Sequence, residues 1–135
     1  LTSGIFSANH SSVKSKENKS KVKGVFLTHG HEEHIGAIPE LLKNMDVGVF
    51  GSHFTISLVE LELADKGMDF TKYRLYRMSE DKVLKFGDIS ISFYRTTHSI
   101  PESLGISIDT NNEMFVFCDA ENKKKIKITY NLNLL

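Results

Sequence analysis

The spacing of apolar residues changes from a helical to a two-fold period part-way along the chain. In the first part, the continuous apolar run Val25-Phe26-Leu27 predicts a buried strand over Val22–Thr28. Apolar residues three and four positions apart then predict one helix that opens at Gly36 and a second helix over His53–Lys66. The short apolar stretch Val47–Phe50 predicts a strand between these two helices.

From Tyr73 onward, apolar and polar residues alternate, which is typical of strands with one buried face. The predicted strands are Tyr73–Tyr76, Lys82–Phe86, Ile89–Arg95, Leu104–Asp109 and Met114–Cys118. This order of elements predicts one layered α/β (α+β) domain with a mixed sheet over residues 22–120. Residues 1–21 form an N-terminal segment with a Ser/Lys-rich stretch that we expect to be a mobile linker. Residues 121–135 form a tail that the pattern leaves unassigned.

A cluster of histidines and carboxylates follows the first predicted strand. Residues 28–34, Thr-His-Gly-His-Glu-Glu-His, contain three histidines and two glutamates. Neutral imidazole is the commonest metal ligand, and strand ends in α/β domains are the usual place for functional loops, so we predict a metal site. His98 and Asp119 also follow predicted strands. They are the best candidates for further ligands if those strands end at the same sheet edge.

Two other kinds of metal site are excluded. A zincin helix needs His-Glu-x-x-His, and Ile35 stands where the second histidine would be. Zinc deaminases and most structural zinc sites need several cysteines, and the chain contains one, Cys118. A site built from histidines and carboxylates leaves room for water, which favours catalysis or a two-metal cluster.

Composition and charge change this picture little. The chain is 40% hydrophobic and 25% charged, and its formal net charge of +0 gives no general argument for binding nucleic acid or membrane. No apolar run approaches the ~20 residues of a membrane span. A single cysteine allows no intrachain disulfide, which fits a reducing compartment. We therefore expect a cytoplasmic protein without a membrane partner.

Residues 28–34 resemble the His-x-His-x-Asp-His signature of the metallo-β-lactamase superfamily. Within that superfamily, Phe26–His31 and Ile35–Pro39 are similar to the ribonuclease J family. The stretch Thr97–Gly105, Thr-His-Ser-Ile-Pro-Glu-Ser-Leu-Gly, is similar to the same family and is more specific than the histidine signature.

The resemblance runs from about Val22 to Asp119 and implies an αββα sandwich, incomplete here because it covers only the N-terminal half of the metallo-β-lactamase domain. It also implies a centre for two divalent metal ions, with zinc preferred and manganese as the alternative. The implied metal ligands are His29, His31, Glu33, His34, His98 and Asp119. Glu33 and Asp119 would also be the catalytic residues, with Asp119 bridging the metals.

The activity that the resemblance implies is that of a metal-dependent ribonuclease. A hydroxide activated by the two metals would attack an RNA phosphodiester bond, and the metals would stabilise the developing charge. The implied partners are RNA and a homo- or hetero-oligomer with a ribonuclease J-type subunit.

The chain departs from the family pattern in ways that keep an alternative open. Glu33 replaces the aspartate of the signature, and Cys118-Asp119-Ala120 replaces the usual Gly-Asp-Phe. The family's later ligand histidine and C-terminal half are not matched. The alternative is a catalytically weak ribonuclease J-type subunit that acts in assembly or RNA binding. A thioesterase-like hydrolase is a third possibility, which the stretch Ser99–Gly105 disfavours.

Overall fold

The computed structural model describes residues 22–96, 99–111 and 113–117, apart from the side chain of Glu33, and the backbone of two further strands, Ile5–Phe6 and Lys125–Thr129. Within these residues two sheets pack face to face, and the helices cover the outer face of the first sheet. None of the helices in the described residues is long and apolar enough to cross a membrane.

The first sheet, sheet A, contains four parallel strands. In spatial order they are β1 (Ile5–Phe6), β2 (Gly24–Phe26), β3 (Val49–Gly51) and β4 (Leu75–Arg77). The connections include helices α1 (Glu32–Ile35), α2 (Ile38–Asn44) and α3 (His53–Asp65) and a 3-10 turn at Phe70–Lys72. Because the strands are parallel, their carboxyl ends lie along one edge of the sheet.

The second sheet, sheet B, contains five antiparallel strands. In spatial order, which is also chain order, they are β5 (Val83–Phe86), β6 (Ile89–Arg95), β7 (Leu104–Asp109), β8 (Glu113–Phe117) and β9 (Lys125–Thr129). The predicted alternation is explained by this sheet, because Ile91 and Phe93 are buried while Ser92 between them is only half-buried.

Strand β2 is continuously apolar because both of its faces are buried. Val25 and Leu27 belong to a helix-side core, between sheet A and the helices, whereas Phe26 belongs to an inter-sheet core. The buried residues of the inter-sheet core are Phe26, Phe50, Met78, Ile91, Phe93, Leu104, Ile106 and Ile108. A parallel sheet covered on both faces has no polar face, so its strands lose the alternation seen in sheet B.

A column of aromatic rings fixes the register of sheet A. Phe26, Phe50 and Tyr76 are opposite one another on β2, β3 and β4, and successive ring centroids are 4.9 and 4.8 Å apart with nearly parallel planes. The rings lie close over Gly24 and Gly48, where an added Cβ would come within 3.0 Å of a ring carbon. The two glycines therefore make room for the stacked rings.

Helix α3 begins at the predicted residue, His53, and ends at Asp65, one residue before the predicted end. Ser52 is the N-cap, and its Oγ accepts a hydrogen bond from the Thr55 N–H at 3.1 Å. Beyond the helix, Gly67 adopts a positive φ of 70°, a conformation in which glycine is not strained.

Two expectations are wrong. The mixed sheet is replaced by two separate sheets, one parallel and one antiparallel. The reason is that β5 to β8 pair as hairpins, each with an apolar face that needs a second layer to cover it. The segment after β2 is also not entirely a loop, because α1 begins at Glu32 and includes His34.

Candidate metal centre

The first histidine after β2 is deeply buried. His29 is 1% exposed, and Oγ1 of Thr28 lies 2.9 Å from its Nδ1. A contact at one ring nitrogen is the usual means of fixing the orientation of a metal-binding histidine, because it sets the tautomer at the other nitrogen. Thr28 is therefore suited to orienting this imidazole.

The other two histidines of the segment lie against His29. The ring centroids of His29 and His31 are 4.7 Å apart with perpendicular planes, and those of His29 and His34 are 4.1 Å apart. His31 is the N-cap of α1, and His34 lies in its single turn. The strand end and the short helix thus gather three imidazoles at the carboxyl edge of sheet A, and we call these three residues the histidine cluster.

The donor chemistry of the histidine cluster suits a divalent cation, since imidazole binds zinc and other borderline metals. However, no group of three His, Cys, Asp or Glu residues within the described part of the chain has the arrangement needed to hold a metal ion. Of the other predicted ligands, the Glu33 side chain, His98 and Asp119 lie outside the described residues. The full ligand set therefore stays a prediction.

The loop that joins sheet B to this edge approaches the histidine cluster. The Thr96 N–H donates to the Ser103 carbonyl at 3.0 Å, and the Leu104 N–H donates to the Thr28 carbonyl at 2.7 Å. Because Thr28 immediately precedes His29, the second bond connects the start of β7 to the end of β2. The predicted ligand His98 belongs to the chain segment between Thr96 and Ser103.

Two further contacts involve α3. A Cβ at Gly30 would overlap the Leu58 side chain and would lie 3.6 Å from Cδ1 of Ile100. The carboxylate of Glu102 accepts a hydrogen bond from the backbone N–H of Phe54 at 2.6 Å. The sequence analysis missed Glu102, because no periodic pattern connects two residues that are 48 positions apart.

A family model described as the metallo-β-lactamase superfamily matches residues 7–110. The chain belongs to the metallo-β-lactamase superfamily. The matched range includes residues 28–34, which carry the histidine cluster.

Among curated relatives, the protein named Ribonuclease J 2 from Staphylococcus aureus is 45% identical over 101 residues. That match covers 75% of this chain but 18% of the relative, so the chain spans less than a fifth of the relative's length. Ribonuclease J 2 from Staphylococcus epidermidis is 43% identical over the same number of residues.

Solved structures of the superfamily show the same fold. A metallo-β-lactamase from Cronobacter sakazakii superposes with a TM-score of 0.65 at 12% identity, covering 86% of this chain and 52% of that one. The metallo-β-lactamase fold protein YhfI from Bacillus subtilis gives a TM-score of 0.61 at 18% identity, covering 85% of this chain and 48% of that one. These matches confirm the predicted α/β sandwich, of which the described residues form the helix–sheet–sheet part.

Proposed function

We propose that this chain forms the metal-binding part of a metal-dependent ribonuclease. The observation that carries the proposal is the gathering of His29, His31 and His34, within centroid distances of 4.1 and 4.7 Å from His29, at the carboxyl edge of sheet A. The identity with proteins named Ribonuclease J 2 supports RNA as the substrate.

In this proposal two divalent metal ions, zinc or manganese, are held by residues of three segments. The ligands are His29, His31, Glu33, His34, His98 and Asp119. When bound, such ions lower the pKa of water and offset negative charge that develops on a phosphate. Glu33 and Asp119 would contribute to catalysis as carboxylates that touch the reacting atoms or the ions.

The residues that surround the histidine cluster have their own part in the proposal. Thr28 fixes the ring of His29 through Nδ1, and the burial of that ring keeps bulk water from its faces. The bond from the Leu104 N–H to the Thr28 carbonyl holds the start of β7, which follows the segment containing His98 in the sequence, next to His29.

RNA binding, a cytoplasmic location and an oligomer with a ribonuclease J-type subunit belong to the same proposal. The location rests on the single cysteine, which fits a reducing compartment. The oligomer follows from the family resemblance.

A second candidate function is a ribonuclease J-type subunit with weak or no catalysis. The observation that favours it is Glu33, whose side chain is longer by one methylene than the aspartate of the family signature. Metal–ligand distances tolerate only about 0.2 Å of deviation, so the longer side chain changes how a second ion is held.

Metal analysis combined with an RNA cleavage assay tests both candidates. We expect two zinc or manganese ions per chain and metal-dependent cleavage of an end-labelled RNA. The double variant His29→Ala/His31→Ala should lose both properties. The matched control is His53→Ala, which removes an exposed histidine at the start of α3 and should change neither.

Each result assigns one function. Metal binding without cleavage supports the weak subunit and refutes the ribonuclease. A chain that binds no metal refutes the ribonuclease, and a chain that binds neither metal nor RNA refutes both candidates.

A further inference from the structure

Glu102 makes a long-range contact at the start of α3. Its Oε2 accepts a hydrogen bond from the backbone N–H of Phe54, the second residue of the helix, at 2.6 Å. The first N–H groups of a helix have no acceptor within the helix, and the helix dipole favours negative charge at this end. The carboxylate therefore satisfies a backbone donor that the helix itself leaves unpaired.

Glu102 also has an unusual backbone conformation. Its φ is 55°, and it is the one residue other than glycine with a positive φ in the part of the chain that the structure describes. Glycine adopts this conformation without strain, whereas a residue with a Cβ does not. A turn alone would favour glycine here, so the strained glutamate points to a requirement for its side chain.

The chain that follows Glu102 is bonded to Thr28, the residue before His29 of the histidine cluster. Within the loop, Ser103 Oγ donates to the Ile100 carbonyl at 3.2 Å. Directly after it, the Leu104 N–H donates to the Thr28 carbonyl at 2.7 Å, next to His29. The C-terminal part of the loop is thus bonded to α3 through Glu102 and, two residues later, to Thr28 after β2 through Leu104.

Gly30 marks the point where these elements meet. An added Cβ would overlap the Leu58 side chain of α3 and contact Ile100 of the loop at 3.6 Å. Close packing at this point means that a shift of the loop relative to α3 would be transmitted to the segment between His29 and His31.

We propose that Glu102 is a positioning residue of the metal centre, which fixes the loop of residues 99–103 against α3 and thereby holds the ligand-bearing segments in register. It acts through the loop and not by contact with an ion. The effect on metal affinity rests on the function proposed above, whereas the order of the loop is a property of the chain alone.

Three variants separate the effect of the Glu102 side chain from the effect of its backbone conformation. Glu102→Ala removes the acceptor and keeps the strained φ, Glu102→Gly removes both, and Glu102→Gln keeps an acceptor without the charge. Zinc affinity is measured by competition with a chelating dye, and the visible spectrum of the Co²⁺-loaded chain reports the ligand geometry.

The alanine and glycine variants should bind zinc about 10-fold more weakly than the parent chain, which is the lower end of the effect of outer contacts on metal affinity. Their Co²⁺ spectra should change. The glutamine variant should restore the spectrum and most of the affinity, because it still accepts the Phe54 hydrogen bond. Parent-like affinity and spectra in the alanine and glycine variants would overturn the proposal.

Ser52→Ala is the matched control for a general weakening of α3. It removes the N-cap hydrogen bond to Thr55 at the same helix end but leaves Glu102 in place. This variant should lower the free energy of unfolding while zinc affinity stays that of the parent. A loss of affinity equal to that of Glu102→Ala would mean that helix stability, and not loop position, controls the metal centre.

Amide hydrogen exchange of the metal-free chain separates this inference from the proposed function. The Phe54 and Leu104 amides should exchange faster in Glu102→Ala than in the parent chain, and Glu102→Gln should restore their protection. Unchanged exchange refutes the positioning role even if the chain binds zinc. A parent chain that binds no zinc, together with faster exchange in the variant, refutes the proposed function and leaves the loop contact standing.

Discussion

Sheets A and B differ in strand length and strand direction, and this difference explains where the candidate metal centre lies. The described strands of sheet A are two or three residues long and parallel, whereas those of sheet B have four to seven residues and pair as antiparallel neighbours. Parallel strands all end at one edge, so the segments that follow them converge there. The histidine cluster lies at that edge of sheet A, after β2.

Sheet B contributes to the same edge indirectly. Its strands form hairpins, and the start of β7 is bonded through the Leu104 N–H to the carbonyl of Thr28, the residue before His29. The antiparallel sheet therefore acts as a stable support for one loop, while the parallel sheet carries the cluster itself. A substitution in the core of sheet A should accordingly lower the free energy of unfolding more than an equivalent substitution in sheet B.

The largest effect is expected where sheet A faces sheet B. Phe26 is 2% exposed, and its ring contacts Phe50 of its own sheet and Phe86 and Phe93 of the other. Phe26→Ala should lower the free energy of unfolding by about 3–5 kcal/mol, because a large cavity opens in the inter-sheet core. Urea unfolding followed by circular dichroism measures this change.

Two further variants test whether the loss of stability is specific to sheet A. Phe93→Ala, on β6 of sheet B, should cost less than Phe26→Ala. Leu61→Ala should change little, because Leu61 is 61% exposed on α3. If Phe93→Ala proves the more destabilising of the two phenylalanine variants, the greater dependence of the fold on sheet A is disproved.

A smaller effect is expected on the outer face of sheet B. Gly105 lies directly under the ring of Tyr94, its neighbour across the strands, so an added Cβ would overlap the ring. The ring would have to move and would lose the hydrogen bond that its hydroxyl donates to the Phe117 carbonyl at 3.3 Å. Gly105→Ala should therefore cost about 1–3 kcal/mol in unfolding experiments.

A double variant tests this cause. In a Tyr94→Ala background the ring is absent, so Gly105→Ala should cost clearly less than in the parent chain. An unchanged cost in the two backgrounds would place the strain in the backbone of β7 and not in the contact with Tyr94.

Local sequence patterns predicted most elements but not their partners. Strands Ile89–Arg95 and Leu104–Asp109 were predicted residue for residue, and α3 to within one residue, because alternation, caps and helical spacing are local properties. The mixed sheet was wrong, since the choice of a pairing strand depends on contacts distant in sequence. The helical turn at Glu32–Ile35 was also missed, because His31 caps it without a side-chain hydrogen bond.

The candidate site likewise has one part that the sequence predicted and one part that it did not. The three histidines are neighbours in sequence and were grouped from their spacing alone. The Glu102 contact to Phe54 depends on how a loop of sheet B meets a helix of sheet A, so only the three-dimensional structure reveals it. His98, Asp119 and the Glu33 side chain remain predicted ligands.

The smallest expected effect compares one ion pair on each sheet. Arg77, at the end of β4, pairs with Glu60 of α3 at 2.9 Å, and the side chains are 34% and 23% exposed. Arg95, at the end of β6, pairs with Glu80 at 2.8 Å, and the side chains are 76% and 51% exposed. Water screens the second pair more strongly, so its contribution to stability should be smaller.

Glu60→Gln should therefore lower the free energy of unfolding by about 1 kcal/mol, whereas Glu80→Gln should change it by less than about 0.5 kcal/mol. The cost of Glu60→Gln should also persist at about 1 M salt, where the Debye length falls to about 3 Å and exposed pairs lose most of their attraction. Urea unfolding at low and high salt measures both effects. Equal costs for the two variants, both abolished by salt, would show that the pair joining α3 to sheet A is no better protected from solvent than the pair on sheet B.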